Sequence, residues 1–184
     1  MARLSVFLDE SNHGRRDEVI VALFSYLDED KHLLYLSKKR RITSSQIKKL
    51  LNNPGRDLRF LTLNQSDLNE GENSLTISAP ALIKSQFEKS LLRIKEETVY
   101  SLDLFLDGED TKSINFGGLM NKIKNSIPSI KTASAHYYPK TNKGLYEYVP
   151  GLEYADSAAH LLFREKTLRE HMENEGRRVT FYRI

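Results

Sequence analysis

Two apolar runs in this chain end in acid. Leu4-Ser5-Val6-Phe7-Leu8 leads into Asp9-Glu10-Ser11, and Leu102-Asp103-Leu104-Phe105-Leu106 leads into Asp107-Gly108. A hydrophobic strand that stops at a carboxylate sets that group at the rim of a sheet, where water, ions and substrate can reach it. A third acid, Asp156, lies inside the apolar stretch 151–163. Acids set against apolar scaffolding cost desolvation energy and normally come with partners. For several converging carboxylates the natural partner is a divalent cation with oxygen preference, Mg²⁺ or Mn²⁺. Two such ions roughly 3.5–4 Å apart can activate a water and stabilise the leaving oxygen of an in-line displacement.

Each acid also has a plainer reading. Asp9 can cap a turn, and Asp107-Gly108 is a common turn signal; Asp156 lies amid small and apolar residues on a helix, where an unpaired acid is expensive. Adjacent residues of a regular strand point to opposite faces, so Glu10 joins Asp9 on one metal only if the chain turns immediately after Asp9. Glu153, Asp156 and His160 are spaced by three and four residues and share one helical face. His160 could therefore steady a carboxylate, or simply pack at the surface. His13, just beyond the first acids, can carry a proton near neutral pH. His136 with Tyr137 and Tyr138 offers rings on which bases could stack, or ordinary sheet packing. Asp103 shares a strand face with Asp107 and is expected at the strand's earlier, exposed part.

The elements that must position these residues can be read from periodicity. Residues 3–9 and 18–27 read as strands, and His32-Leu33-Leu34-Tyr35-Leu36 as a third, close enough together to form an antiparallel meander. Thr43 or Ser44 caps a helix to about Leu51, and 58–63 is another strand. The polar segment 64–79 reads as a loop, with Pro80 opening a long helix. A strand from Tyr100, a helix over 111–126, a strand over 132–138 and one terminal helix from Pro150 to about Glu173 complete the order. The expected fold is α/β: an antiparallel three-strand meander, then alternating helices and strands in a mixed sheet with helices packed on it.

Composition narrows the class. The chain has 184 residues, 39% hydrophobic and 29% charged, which suits one domain spanning 1–184. No cysteine is present, which excludes disulfides, thiolate metal sites and a cysteine nucleophile. No apolar run approaches a membrane span and no signal peptide is evident, so a cytoplasmic location is expected. Net charge is only +3, but Lys38, Lys39, Arg40 and Arg41 are consecutive. They can contact nucleic-acid phosphates, or form a solvated surface.

The motifs themselves resemble known families. Asp9-Glu10-Ser11 and Leu106-Asp107-Gly108 resemble the first and second acidic strand ends of ribonuclease HII. Gly151-Leu152-Glu153-Tyr154-Ala155-Asp156 is similar to the closing Gly-Leu-Gln-x-Ala-Asp helix of a poorly characterised bacterial, archaeal and phage family of ribonuclease H-like fold. That family opens with Asp-Glu-Ser-Gly; here Asn12 replaces the Gly and Glu153 the Gln. The resemblance implies a ribonuclease H-like domain whose Asp9, Glu10, Asp107 and Asp156 bind Mg²⁺ or Mn²⁺, two ions in all, and cleave phosphodiesters. The substrate would be RNA or DNA. A catalytically silent nucleic-acid-binding or protein-interaction domain of that fold is the alternative. A sugar-kinase-like phosphoryl transferase is disfavoured by the lack of a Gly-rich phosphate loop.

Overall fold

The computed structural model describes residues 2–11, 17–26, 43–52, 58–89, 100–108, 115–139 and 149–183. The segments expected to hold a strand at 32–36 and the basic run Lys38–Arg41 lie outside them. Within the described residues the order is β1 (Ala2–Glu10), β2 (Glu18–Tyr26), α1 (Ser44–Leu51), β3 (Leu58–Leu63), α2 (Ser74–Lys89), β4 (Tyr100–Gly108), α3 (Phe116–Ser126), β5 (Ile130–Pro139), α4 (Pro150–Arg164) and α5 (Lys166–Asn174).

One five-stranded sheet runs in the order β3-β2-β1-β4-β5. β2 is antiparallel to both β1 and β3, whereas β4 is parallel to β1 and β5 to β4. This is the mixed α/β sheet expected from the sequence. β4, α3 and β5 form the parallel crossover unit.

Both faces of the sheet are buried, by alternation. Leu4, Val6 and Leu8 of β1 join Ile20, Ala22 and Phe24 of β2 and Leu102, Leu104 and Leu106 of β4 under α2 and α3. Phe7, Val19, Val21, Leu23, Phe60 and Phe105 point the other way, under α1, α4 and α5. Strands covered on both sides read as near-continuous apolar runs, which is why β1 and β4 were visible in the sequence.

Helix ends follow local chemistry. α1 begins with a capping box: the Gln46 N–H donates to Thr43 Oγ1 (3.3 Å) and the Thr43 N–H to Gln46 Oε1 (2.8 Å). α2 begins at Ser74, not at Pro80, which lies inside it. Asn73 caps that start by accepting from the Thr76 N–H at 3.1 Å. Burial of Leu75, Ala79, Leu82 and Ile83 offsets the backbone bond that Pro80 lacks. The single terminal helix expected from Pro150 is broken at Glu165, whose backbone is extended (φ −102°, ψ 91°). Beyond α5 the chain turns back onto the outer edge of β3. The Phe60 N–H donates to the Arg177 carbonyl (3.1 Å), and the Val179 N–H donates to that of Phe60 (2.8 Å). A sheet edge otherwise open to pairing is thereby covered.

One glycine sets how closely α4 approaches the sheet. A Cβ at Gly151 would stand 2.5 Å from the ring of the fully buried Phe7. Gly→Ala within a helix ordinarily gains about 1 kcal/mol from propensity. Gly151→Ala is expected to show the opposite sign, a loss of about 1–3 kcal/mol from overpacking. Urea denaturation measures this, and a stabilised variant contradicts the tight seat.

The C-terminal segment is also tied electrostatically. Arg183 grips Glu72 through two hydrogen bonds of 2.8 and 2.9 Å, and the Asn69 N–H donates to the same carboxylate at 2.7 Å. The bond from Arg183, then the one from Asn69, lower the Glu72 pKa from 4.5 to about 2. Because the folded value is depressed, this clamp is complete above pH 4.5 and is lost as pH falls toward 2. Carboxyl-detected NMR titration is expected to find Glu72 near 2, and Arg183→Ala to return it toward 4.5.

Candidate metal centre at the strand ends

Strand register arranges the inner face under α4 into three lateral rows. The first joins Ser25, Ser5, Asp103 and Ser134; the second joins Leu23, Phe7, Phe105 and His136. At the rim, Asp9 stands opposite Val21, and Asp107 opposite Tyr138. Leu8 pairs with Leu106, so the next residues on the two parallel strands, Asp9 and Asp107, are neighbours. Adjacent strands lie about 4.8 Å apart, and both positions fall on the face of Phe7 and Phe105.

Asp9 is fully buried, and its Oδ1 accepts a hydrogen bond from the Glu10 N–H at 2.8 Å. The Asp107 side chain lies outside the described residues. β1 continues through Glu10, which pairs with Ile20, so Glu10 alternates onto the opposite face, that of Leu8. The chain makes no turn after Asp9 that would bring the two carboxylates together. Glu10 is buried there, as is Glu18 at the start of β2, an acid the sequence reading passed over. Ser11 serves the backbone. Its N–H donates to the Val19 carbonyl (3.0 Å), and its Oγ accepts from the Val19 N–H (3.1 Å). It locks the end of the β1–β2 pair beside Asp9.

Asp156 lies on α4, one residue past the fully buried Ala155. Its carboxylate is about a third exposed and meets His160 Nε2 at 3.3 Å, one helical turn on. Both line a cavity of about 320 Å³ between α1 and α4, with Ser44, Ile47, Ser157, Leu161 and Arg164. Glu153 is half-buried on the same helix. His13 lies outside the described residues. Among the described residues, no three acidic or imidazole groups come together to hold a metal ion.

Asp103 is not exposed as expected. It is buried in the polar row, bound by Arg3 Nε and Ser134 Oγ, with His136 Nε2 at 3.4 Å. Burial pushes its carboxyl up. The bonds from Ser134 and Arg3, the Arg3 charge and the His136 bond outweigh that and hold it below the usual 3.8.

Carboxylates at neighbouring strand ends are the kind of oxygen donor that a hard divalent cation takes.

No protein-family model and no curated protein sequence matches this chain. Solved structures that are similar include ribonuclease H2 from Pyrococcus horikoshii OT3, at 15% identity and TM-score 0.49, covering 94% of this chain and 77% of that one. Ribonuclease HII from Archaeoglobus fulgidus, solved in a complex with PCNA, matches at 15% identity and TM-score 0.45, covering 94% and 78%. A point mutant of Bst-RNase HIII matches at 12% identity and TM-score 0.47, covering 96% and 56%. These are likenesses of backbone alone.

The Asp103 network carries its own pH signature. Asp103→Asn is expected to cost about 1–3 kcal/mol near neutrality, where hydrogen bonds to a charged group are lost. Because the folded pKa is lowered, the gap from the parent narrows as pH falls below 3.8. Thermal melts from neutral to acid pH measure it; a constant gap contradicts the assignment.

Proposed function

We propose that the chain is a divalent-metal-dependent nuclease that hydrolyses phosphodiester bonds, with Asp9 and Asp107 as its central metal ligands and Asp156 as the third. The single observation that supports this reading is the in-register parallel pairing of β1 with β4, which makes the two acidic strand ends neighbours on one face. Asp9 has its second strand neighbour, Val21, locked by the antiparallel ladder, so its backbone is held rigidly. The Glu10 N–H donates to Asp9 Oδ1 and so orients that oxygen. Asp156, which meets His160 Nε2 one helical turn on, would be the third carboxylate to hold the cation. When bound, Mg²⁺ or Mn²⁺ supplies Lewis acidity and an activated water for in-line attack at phosphorus. Glu10, on the opposite face, plays a smaller part than Asp9. The partner is nucleic acid, and Lys38, Lys39, Arg40 and Arg41 are its proposed phosphate contacts.

The test is cation-dependent cleavage of labelled RNA and DNA, alongside calorimetric titration with Mn²⁺. The parent is expected to bind the ion and cut, and chelation to stop cutting. Asp9→Asn and Asp107→Asn are each expected to lower the rate at least about 100-fold, on the order of 3 kcal/mol of barrier. Glu10→Gln is expected to cost less than either. Metal-free binding to nucleic acid, unaffected by the two Asp→Asn changes and without cleavage, would instead establish a silent binding domain.

A further inference from the structure

Next to the acid row, three rings form a continuous stack across the sheet. Phe7 and Phe105 lie 4.9 Å apart at 23°, and Phe105 and His136 lie 4.8 Å apart at 17°. The stack runs from the fully buried Phe7, through the nearly buried Phe105, to an imidazole that is 43% exposed. Among the described residues β5 is the last strand of the sheet, so the outer face of His136 looks past that edge. Among the described residues no further ring lies on it. α3 packs on β5 from the other face of the sheet, with Ile123 and Met120 against Ala133 and Ala135, leaving Thr132, Ser134 and His136 on the open side.

The imidazole is held in plane. Its Nε2 sits 3.4 Å from Asp103 Oδ1 and 3.5 Å from Ser134 Oγ, and Asp103 is fixed in turn by Arg3 and Ser134. A packing histidine needs no such exposure, and a free surface histidine would not be pinned against an aromatic floor. The combination gives a flat, pre-oriented π-face whose ordering cost is already met by the fold. Its position matters as well. His136 pairs with Phe105, two residues before Asp107 on the neighbouring strand. That sets its Cα about 8 Å from that of Asp107, one row below the rim.

We propose that His136 is a substrate-positioning residue: an unpaired nucleobase of the strand being cut stacks on its outer face as the fourth ring of the Phe7–Phe105–His136 ladder. The inference rests on the nuclease reading and adds to it that the substrate is single-stranded, or locally unpaired, beside the reacting phosphate. Stacking on an aromatic surface tolerates any base, so sequence preference at that nucleotide is weak. Arg3, 60% exposed and bound to Asp103, stands beside the same shelf as a cation for the backbone of that strand.

The experiment uses a short single-stranded oligonucleotide carrying one 2-aminopurine, with the Asp9→Asn protein so that the strand stays intact. Fluorescence quenching on binding is expected, and His136→Ala in that background is expected to weaken binding roughly 5- to 100-fold and abolish the quench. His136→Phe, which keeps a stackable ring but removes the bonds to Asp103 and Ser134, is expected to restore both. In the Asp9-containing enzyme, His136→Ala is expected to raise KM with little change in kcat. Unchanged quenching in His136→Ala, or no rescue by His136→Phe in a variant with parental Tm, overturns the stacking role. Cation-dependent cleavage that persists alongside either result leaves the nuclease reading standing. No cleavage by the parent, with quenching lost in His136→Ala, removes that reading and keeps the shelf.

Discussion

The pairing of β1 with β4 is the constraint from which the rest follows. Two parallel strands in register hold equivalent residues side by side along their whole length. A sequence of the same pattern on both strands therefore becomes a set of lateral rows. Apolar residues at even positions close one core, and on the odd positions a polar row, an aromatic row and an acidic row follow one another toward the rim. A slip of one residue would send Asp9 or Asp107 to the other face and dismantle the pair. Burial of Leu4, Val6, Leu8, Leu102, Leu104 and Leu106 in one cluster makes that slip prohibitively costly. Each buried leucine is worth on the order of 2 kcal/mol.

Helix α4 depends on the same rows. Its first turn rests on Phe7, which only a glycine at 151 allows. Ala155, Ala158 and Ala159 keep the helix close to β1 and β2 over its next two turns. Small residues on this face bring the backbone of α4 down onto the sheet. The motif that carries Asp156 is thus also the motif that seats the helix, through Gly151 and Ala155.

Much of this was legible in the chain, for a physical reason. Strands buried on both faces are continuous apolar runs, and their acidic ends stand out against them, so β1, β4 and their terminal carboxylates could be identified directly. Thr43 or Ser44 marked the start of α1 as a capping residue, and the structure makes it Thr43. What failed were features decided by tertiary burial. The polar composition of 64–79 suggested a loop, but Leu75 and Ala79 are taken up by the core against the sheet and carry the helix back to Ser74. Pro80 looked like a helix start because its conformational preference is local, whereas the packing that tolerates it within α2 is not. Glu165 has no breaker chemistry; the chain bends there because α5 must bring Met172 into the cluster beneath α4. The return of Arg177–Val179 onto β3 had no pattern to betray it, since one parallel bridge needs no alternation.

The contrast between Asp103 and Asp9 shows why strand position alone does not assign chemistry. Both are buried acids on the same face, four positions apart on paired strands in the row order. Asp103 sits in a row of hydroxyls with a guanidinium and an imidazole at hand, so its charge is met by protein groups and its pKa falls. An additional cation there would have to displace Arg3. Asp9 lies beyond the aromatic row, where Val21 is its strand partner on β2 and Asp107 follows the Leu8–Leu106 pair on β4. It is at this end of the strands that the proposed divalent ion would bind. The same aromatic row that separates the two acids ends in His136. The row that lies between the proposed metal ligands and the structural ion pair is therefore also the one that extends a stacking surface to the edge of the site.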